Sequence, residues 1–277
     1  MEEEKRVPKE TSRRREGVQA VKRAITILKT LGEEEMELGV SELARRSGLQ
    51  KSTVHRLLQT LQREGLVEQN PETGKYRLGL EILRLAGTVL RELEDLQQVA
   101  RPFLRALAEE CGETVNLTIL AGDGVINVDR IPSPHRVRNI GWIGRKMPLH
   151  CVSAGKVFLA YMPEEEVERF LNSKLPRLTK YTITDPAKLR EELQRVRELG
   201  YGVGLEELEE GLNAVAAPIR DYRGKVVAAI SVSGPSFRLT REKIPEVAEL
   251  TKRAADEVSR HLGYVPEQER SLFPITE

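Results

Sequence analysis

Polar side chains recur at helical spacing between Lys51 and Arg63. At 100° per residue, one side of a helix would carry hydroxyl, guanidinium and amide groups and no carboxylate, from Ser52, Arg56, Gln59 and Arg63. The opposite side would carry an apolar cluster made by Val54, Leu57, Leu58 and Leu61. Such polar groups hydrogen-bond base edges and phosphates in the major groove, so the pattern favours a DNA-reading helix. The alternative is an ordinary amphipathic helix with a solvated face.

The elements around this helix decide between the two interpretations. An earlier helix is predicted from the apolar spacing of Val18, Val21, Ile25 and Leu28. Ser41 is predicted to cap a short helix over residues 42–47, which Gly48 ends. After the third helix, at about residues 51–64, two short strands at 66–69 and 75–78 flank a turn. This order is typical of a winged helix-turn-helix, which favours the DNA-reading interpretation.

The candidate DNA contacts differ in chemistry. The first turn of the third helix, residues 51–53, offers hydroxyl and free backbone N–H groups that suit a phosphate. We expect Arg56 and Gln59 to read bases, while Lys75 and Arg77 share the outward face of the hairpin and hold phosphates. The predicted DNA-binding residues are Lys51, Ser52, Thr53, His55, Arg56, Gln59, Lys75 and Arg77.

The composition limits the class of protein. Lys and Arg number 44 and Asp and Glu number 43 among 277 residues, which excludes a wholly basic nucleic-acid coat and an acidic solvating chain. The charge is nevertheless local, because residues 41–77 hold seven basic and four acidic side chains. No apolar run is long enough to cross a membrane. The two cysteines are too few for a disulfide framework, so we expect a cytoplasmic protein.

A helical stretch at residues 80–96 is apolar on two sides. One stripe contains Leu83, Leu90 and Leu93, and a second contains Ile82, Leu85, Val89 and Leu96. A connector with two apolar stripes must bury both of them, and a symmetry mate would cover one. Because helix-turn-helix proteins commonly bind two half-sites as dimers, we predict a homodimer or homotetramer.

The remainder of the chain mixes helices and strands. A helix at 99–110 precedes a hairpin, whose strands at 114–120 and 125–129 flank a glycine turn. An extended piece at 137–143 and a helix at 149–161 follow, and two later strands flank the turn at 221–224. Strands grouped between helices predict an α+β domain with an antiparallel sheet.

Three motifs occur in order along the chain. They are SELA at 41–44 with LQKSTVHRLL at 49–58, GRKMPLHCVSAGK at 144–156, and GLNAVAAPI at 211–219 with AAISVSGP at 228–235. Together they closely resemble the signatures of the IclR family of bacterial transcriptional regulators, over about residues 18–264. The resemblance implies a winged helix-turn-helix joined by a linker helix to a GAF-like α/β effector-binding domain. It also implies a double-stranded DNA operator as partner.

The resemblance further implies an effector pocket, lined by Ser153, Ala154, Leu212, Ala214, Ser231 and Ser233. Two serines two residues apart project from the same face of a strand, and small residues at a helix start leave backbone N–H groups open to a carboxylate. The resemblance implies a small organic acid or an aromatic catabolite as the effector. Some family members carry a polar or thiol side chain where this chain has Ala214, so that contact is lost. The alternative is that Ser231 and Ser233 are solvated strand residues.

Other classes of protein are less well supported by the sequence. Residues 154–157 lack the glycine spacing and the Ser or Thr of a phosphate-binding loop, and residues 234–236 do not form a nucleophile elbow. A zinc site from His150, Cys151 and His135 stays an alternative, although adjacent side chains point in different directions. We predict no catalytic residue, no metal and no cofactor. A DNA-binding protein whose second domain only oligomerises also remains open.

The predicted organisation has five parts. Residues 1–16 form a disordered arm, 17–79 the DNA-binding domain and 80–96 the linker helix. Residues 97–265 form the effector-binding domain, and 266–277 a tail.

Overall fold

The computed structural model describes residues 18–32, 37–139 and 143–266. They form two compact units, and the division falls after Leu90. The predicted arm at 1–16 and the tail from 267 onward lie outside the described residues. Among the described helices, none combines the length and apolar character needed to cross a bilayer.

The first unit contains three helices and a two-stranded hairpin. These are α1 (Gln19–Gly32), α2 (Val40–Ser47), α3 (Lys51–Arg63), β1 (Val67–Gln69) and β2 (Tyr76–Leu78). The strands are antiparallel, and Leu38 adds a bridge to Tyr76 on the outer side of β2. A single core joins the elements, with Ile27, Leu43, Val54, Leu58 and Tyr76 among its buried members. The predicted winged helix-turn-helix is confirmed.

The predicted first helix is confirmed as α1, and one local prediction in this unit is wrong. Val18, Val21 and Ile25 are 70%, 55% and 45% exposed, because α1 buries a neighbouring stripe that includes Ile27 and Leu31. Both faces of α1 are apolar, so periodicity alone does not say which one packs on the core. Ser41 does not cap α2, which begins at Val40, two residues before the predicted start, with Gly39 at the N-cap position.

One helix replaces the two predicted between residues 80 and 110. Helix α4 runs without interruption over Glu81–Cys111, because the glutamines at 97 and 98 are good helix formers and nothing there ends the helix. Leu93 and Leu96 pack against the core of the second unit, whereas Leu83 and Leu85 are exposed. The side chains of Val89 and Leu90, which belong to the predicted stripes, lie outside the described ones.

The second unit is built on a six-stranded antiparallel sheet in the order β5-β4-β3-β8-β7-β6. The strands are β3 (Thr114–Ala121), β4 (Gly124–Ile131), β5 (Lys146–Pro148), β6 (Gly202–Leu205), β7 (Leu212–Arg220) and β8 (Val226–Pro235). Its other helices are α5 (Ser153–Tyr161), α6 (Glu164–Leu171), α7 (Pro186–Leu199) and α8 (Ile244–His261). The α+β class is confirmed. The extended piece predicted at 137–143 forms no strand at residues 137–139. Ile143 makes an isolated parallel bridge to Asn127, and the edge strand beside β4 is β5.

Helices cover both faces of this sheet, and the alternation along each strand sorts the side chains. Apolar residues such as Leu117, Ile230 and Val232 share one core with α4 and α8. Ala216 and Ala229 share a second core with α5 and α7, on the opposite face. Polar residues of β3 and β8 point to this second face, toward the start of α5, so the sheet places a polar cavity inside a packed layer.

Candidate DNA-binding surface and ligand cavity

The outward row of α3 is arranged as its periodicity predicts. Val54, Leu58 and Leu61 are buried in the core of the first unit. The polar row lies exposed on the other side and comprises Ser52, His55, Arg56, Gln59 and Arg63, whereas Thr53 is half-buried. A rigid helix therefore presents two guanidinium groups and an amide to solvent, in a row free of carboxylates.

The start of α3 is open to an anion. Gln50 occupies the N-cap position in an extended conformation, and its side chain does not cap the helix. Lys51 and Ser52 are exposed beside the first-turn N–H groups. Gly48, at a φ of 67°, ends α2 in the left-handed conformation that glycine adopts without strain. The short turn between α2 and α3 thus leaves the first N–H groups of α3 uncapped by a side chain, as an anion-binding helix start requires.

The two cations of the hairpin differ in their surroundings. Lys75 and Arg77 are both exposed, as predicted. Arg77, however, lies 3.2 Å from a carboxylate oxygen of Glu68 and 3.5 Å from one of Glu37. Hydrogen bonds from Asn70 and Thr73 hold the pKa of Glu37 below its ordinary value, so this residue stays anionic beside Arg77. Part of the charge of Arg77 is therefore offset within the protein, and the sequence pattern missed Glu37 because it lies 40 residues away.

All six predicted effector residues line one cavity in the second unit. Ser231 and Ser233 lie on β8. Ala214 lies on the adjacent strand β7 and pairs with Ser233. Ser153 and Ala154 open α5 on the far side of the cavity. Both serines of β8 are buried, so the interpretation of them as solvated strand residues is wrong.

Four uncharged polar residues of this cavity, and the charged Glu207, were not predicted. Asn116 and Thr118 come from β3, Asn127 from β4, and Asn139 from the segment that follows β4. The Asn116 amide donates to the hydroxyls of Ser231 and Ser233, at 3.4 and 3.3 Å. The Asn139 amide donates to the same Ser233 hydroxyl at 2.9 Å, and the Thr118 hydroxyl donates to the Asn127 amide oxygen at 2.9 Å. The alternation of Asn116 and Thr118 within an apolar strand was the available sequence signal.

A buried ion pair borders the cavity. Lys156 is fully buried in α5, and its ammonium donates to Glu207 at 2.6 Å and to the Val203 carbonyl at 2.8 Å. Glu192 contributes a second carboxylate at 3.4 Å. Glu207 is itself buried and lines the cavity. Its partner Lys156 is buried too but does not line the cavity. The pair fixes the loop after β6 against α5.

The cysteine and histidine of the GRKMPLHCVSAGK motif are structural groups. Burial, and next the nearby charge of Glu207, raises the pKa of the Cys151 thiol to about 12, which leaves it protonated and unreactive. A ring nitrogen of His150 lies 2.9 Å from the Pro176 carbonyl oxygen. Within the described ranges, no three His, Cys, Asp or Glu side chains lie together as a metal-binding group.

Comparison with known proteins places both surfaces in a family context. The IclR helix-turn-helix domain model matches residues 20–71, and the model for the C-terminal domain of the bacterial transcriptional regulator IclR matches residues 88–260. The chain is 37% identical to the HTH-type transcriptional regulator KdgR of Escherichia coli (strain K12), over 90% of this chain and 94% of KdgR. It is 36% identical to the transcriptional repressor IclR of the same strain, over 89% and 90% of the two chains.

Solved structures agree with this assignment. An IclR transcriptional regulator from Alicyclobacillus acidocaldarius superposes with a TM-score of 0.74 at 31% identity, covering 89% of this chain and all of the other. An IclR homologue from Microbacterium hydrocarbonoxydans, crystallised with 4-hydroxybenzoate, gives a TM-score of 0.74 at 28% identity, covering 88% and 98%. Helix α3, the hairpin and the polar cavity thus belong to a transcriptional regulator with a helix-turn-helix DNA-binding domain, and the chain is a member of the IclR family.

Proposed function

We propose that this regulator binds a partly palindromic operator as a homodimer or homotetramer, and that a small organic acid in the cavity changes its affinity for DNA. The observation that carries the proposal is the exposed row of α3, which combines guanidinium, amide and hydroxyl groups on the helix of a helix-turn-helix domain. In this proposal residues 17–79 bind DNA, 80–96 connect, and 97–265 bind the effector. The matched ranges 20–71 and 88–260 support that division.

The DNA contacts divide between bases and backbone. Arg56 and Gln59, in the middle of the row, read base edges, because a guanidinium pairs with guanine and an amide with adenine in the major groove. Lys51, Ser52 and Thr53 hold a phosphate at the start of α3, and His55 flanks the row. Lys75 holds a second phosphate from the hairpin, and Arg77 contributes less because two carboxylates already engage it. Phosphate contacts position the helix, while base contacts set the sequence.

The oligomer is supported by apolar side chains left uncovered in the first unit. Val18, just before α1, and Val21 and Ile25 within it are exposed, as are Leu80 and Leu83 at the start of α4. Exposed apolar side chains at helical spacing favour a protein contact, and a second copy is the occupant that a two-fold operator requires. Light scattering at micromolar concentration measures the state directly, and a strict monomer contradicts this part of the proposal.

The ligand part rests on the cavity. Its lining combines small residues, hydroxyls and an uncapped helix start, which suit a carboxylate. The complex of the Microbacterium homologue with 4-hydroxybenzoate supports an acid as ligand. An effector that binds two states with unequal affinity shifts their populations, and the operator affinity changes with them.

The test begins with a genome-wide footprint of the bound protein, which yields the operator. Operator affinity is then measured with and without a panel of small carboxylates, whose binding is followed by calorimetry. We expect one acid to change the affinity, and the double variant S231A/S233A to lose the response while the exposed control S173A keeps it. An operator affinity that no bound acid changes indicates that the second domain only oligomerises.

A further inference from the structure

One carboxylate organises the tip of the hairpin, residues 70–75, although it does not belong to the hairpin. Glu37 lies three residues before the start of α2. Its carboxylate accepts hydrogen bonds from the Asn70 amide at 3.0 and 2.9 Å and from the Thr73 hydroxyl at 2.9 Å. The backbone bridge from the next residue to β2 holds Glu37 beside the hairpin. The tip is thus tied to a segment more than 30 residues earlier in the chain.

The hydrogen bonds continue from this carboxylate to the cation at the end of the tip. The Thr73 hydroxyl donates to Glu37 and accepts the backbone N–H of Lys75 at 3.3 Å. Asn70 holds the turn from within, because its backbone N–H donates to the Lys75 carbonyl at 2.8 Å. Its side-chain oxygen also accepts the backbone N–H of Thr73 at 3.3 Å. The position of Lys75 therefore depends on Glu37 through two intervening residues.

The same carboxylate acts on the second cation of the hairpin. One oxygen of Glu37 lies 3.5 Å from the Arg77 guanidinium, and one of Glu68 lies 3.2 Å from it. The Glu37 side chain is only 22% exposed, whereas that of Arg77 is 58% exposed. Among the described side chains, Glu68 engages Arg77 but neither residue of the tip that Glu37 holds. Both acids therefore compete with DNA phosphates for this guanidinium, and only one of them also orders the tip.

We propose that Glu37 is the positioning residue of the hairpin on DNA. It fixes the tip so that Lys75 meets one phosphate, and it competes with the DNA backbone for Arg77. Binding to DNA of any sequence depends on phosphate charge, whereas phosphate contacts in a fixed register also orient the base contacts of an operator. The carboxylate therefore lowers affinity for all DNA, and the ordered tip preserves selectivity. The inference rests on the proposed function, since it takes Lys75 as a phosphate contact.

Two variants of the full-length protein separate the charge of Glu37 from its hydrogen bonds. The selectivity ratio is the affinity for the operator found by footprinting, divided by that for a scrambled duplex of equal length. E37Q keeps an acceptor oxygen for the tip but loses the charge. Both affinities should rise, the slope of log affinity against log salt should steepen by up to about 1, and the ratio should stay unchanged. E37A also loses the acceptor, and the ratio should fall about tenfold, as for one lost hydrogen-bonded contact.

Two further variants are matched controls for these roles. E68A removes the other carboxylate from Arg77 and leaves the contacts of Glu37 with the tip in place. It should steepen the salt slope and keep the selectivity ratio. T73V removes the hydroxyl that lies between Glu37 and Lys75 and keeps every charge. It should lower the ratio and leave the slope no steeper.

Each part of the proposal has an outcome that overturns it. A selectivity ratio in E37A equal to that in E68A overturns the positioning role, and a salt slope in E37Q no steeper than in the unmodified protein overturns the competition for Arg77. If E37A does not fold, the ratio in T73V decides the positioning role.

The variant K75A separates this proposal from the function on which it rests. An unchanged salt slope in K75A means that the hairpin holds no phosphate there, so that part of the proposed function fails together with the role of Glu37. A lower slope in K75A with an unchanged ratio in E37A overturns the role of Glu37 alone.

Discussion

The two polar surfaces of this protein are built in opposite ways. On α3 the polar groups are exposed, and the helix is held by an apolar face that they do not touch. In the cavity the polar groups are buried in the layer between the sheet and α5, and they hydrogen-bond one another. The difference teaches that the exposed side chains of α3 are free to vary without loss of fold, whereas a change at a cavity residue also disturbs the packed layer around it.

The charged side chains of the two regions show the same contrast between exposed and buried surroundings. Arg77 of the hairpin is exposed and forms ion pairs with the carboxylates of Glu37 and Glu68. These ion pairs are partly open to solvent. Such pairs contribute little to stability, because water screens them. Lys156 and Glu207 are both buried, so neither group has water as a substitute partner if the other is removed.

The largest expected effect comes from breaking the buried pair. K156M leaves the Glu207 carboxylate buried without its cation, and we expect the free energy of unfolding to fall by about 3–5 kcal/mol. Chemical denaturation measures this change. K188M, at an exposed lysine of α7, is the control and should unfold like the unmodified protein. Equal stability of the two variants would contradict the contrast between buried and exposed charge.

A smaller effect is expected on the exposed helix, and it should appear in binding rather than in folding. R56A removes a guanidinium from the middle of the α3 row and should weaken specific operator binding by about 1–3 kcal/mol, as expected for a bidentate contact with a base. The free energy of unfolding should stay unchanged, since the side chain is exposed. R195A, at an exposed arginine of the second unit, is the control for DNA binding. Unaltered operator affinity in R56A would reject the assignment.

The smallest effect separates the two hairpin cations. K75A should lower the slope of log affinity against log salt by about 1, which corresponds to one lost phosphate contact. R77A should lower it by less, because Glu37 and Glu68 already offset the charge of Arg77. Titrations of operator binding between low and moderate salt measure both slopes. A larger change in R77A than in K75A would show that the arginine leaves its carboxylates when DNA binds.

Local sequence patterns were sufficient to predict the structure of segments whose conformation depends mainly on their own residues. The faces of α3 follow from its periodicity, and the hairpin follows from its turn residues, so the predicted and observed elements agree there. The pattern on α1 was insufficient because that helix is apolar on two faces. Only its packing against α2 and α3 selects the face with Ile27 and Leu31.

The sequence by itself determined the winged helix-turn-helix, the α+β class and, through family motifs, six residues of the cavity. Those features depend on residues that are close together along the chain. The periodicity and the turn residues of the sequence are therefore sufficient to predict them. Tertiary structure alone decided that Asn116 faces Ser231, that Glu37 restrains Arg77 and that Lys156 is buried against Glu207. Strand register and close packing bring these partners together across long stretches of chain. A local sequence pattern does not predict such contacts, because they depend on how distant segments pack.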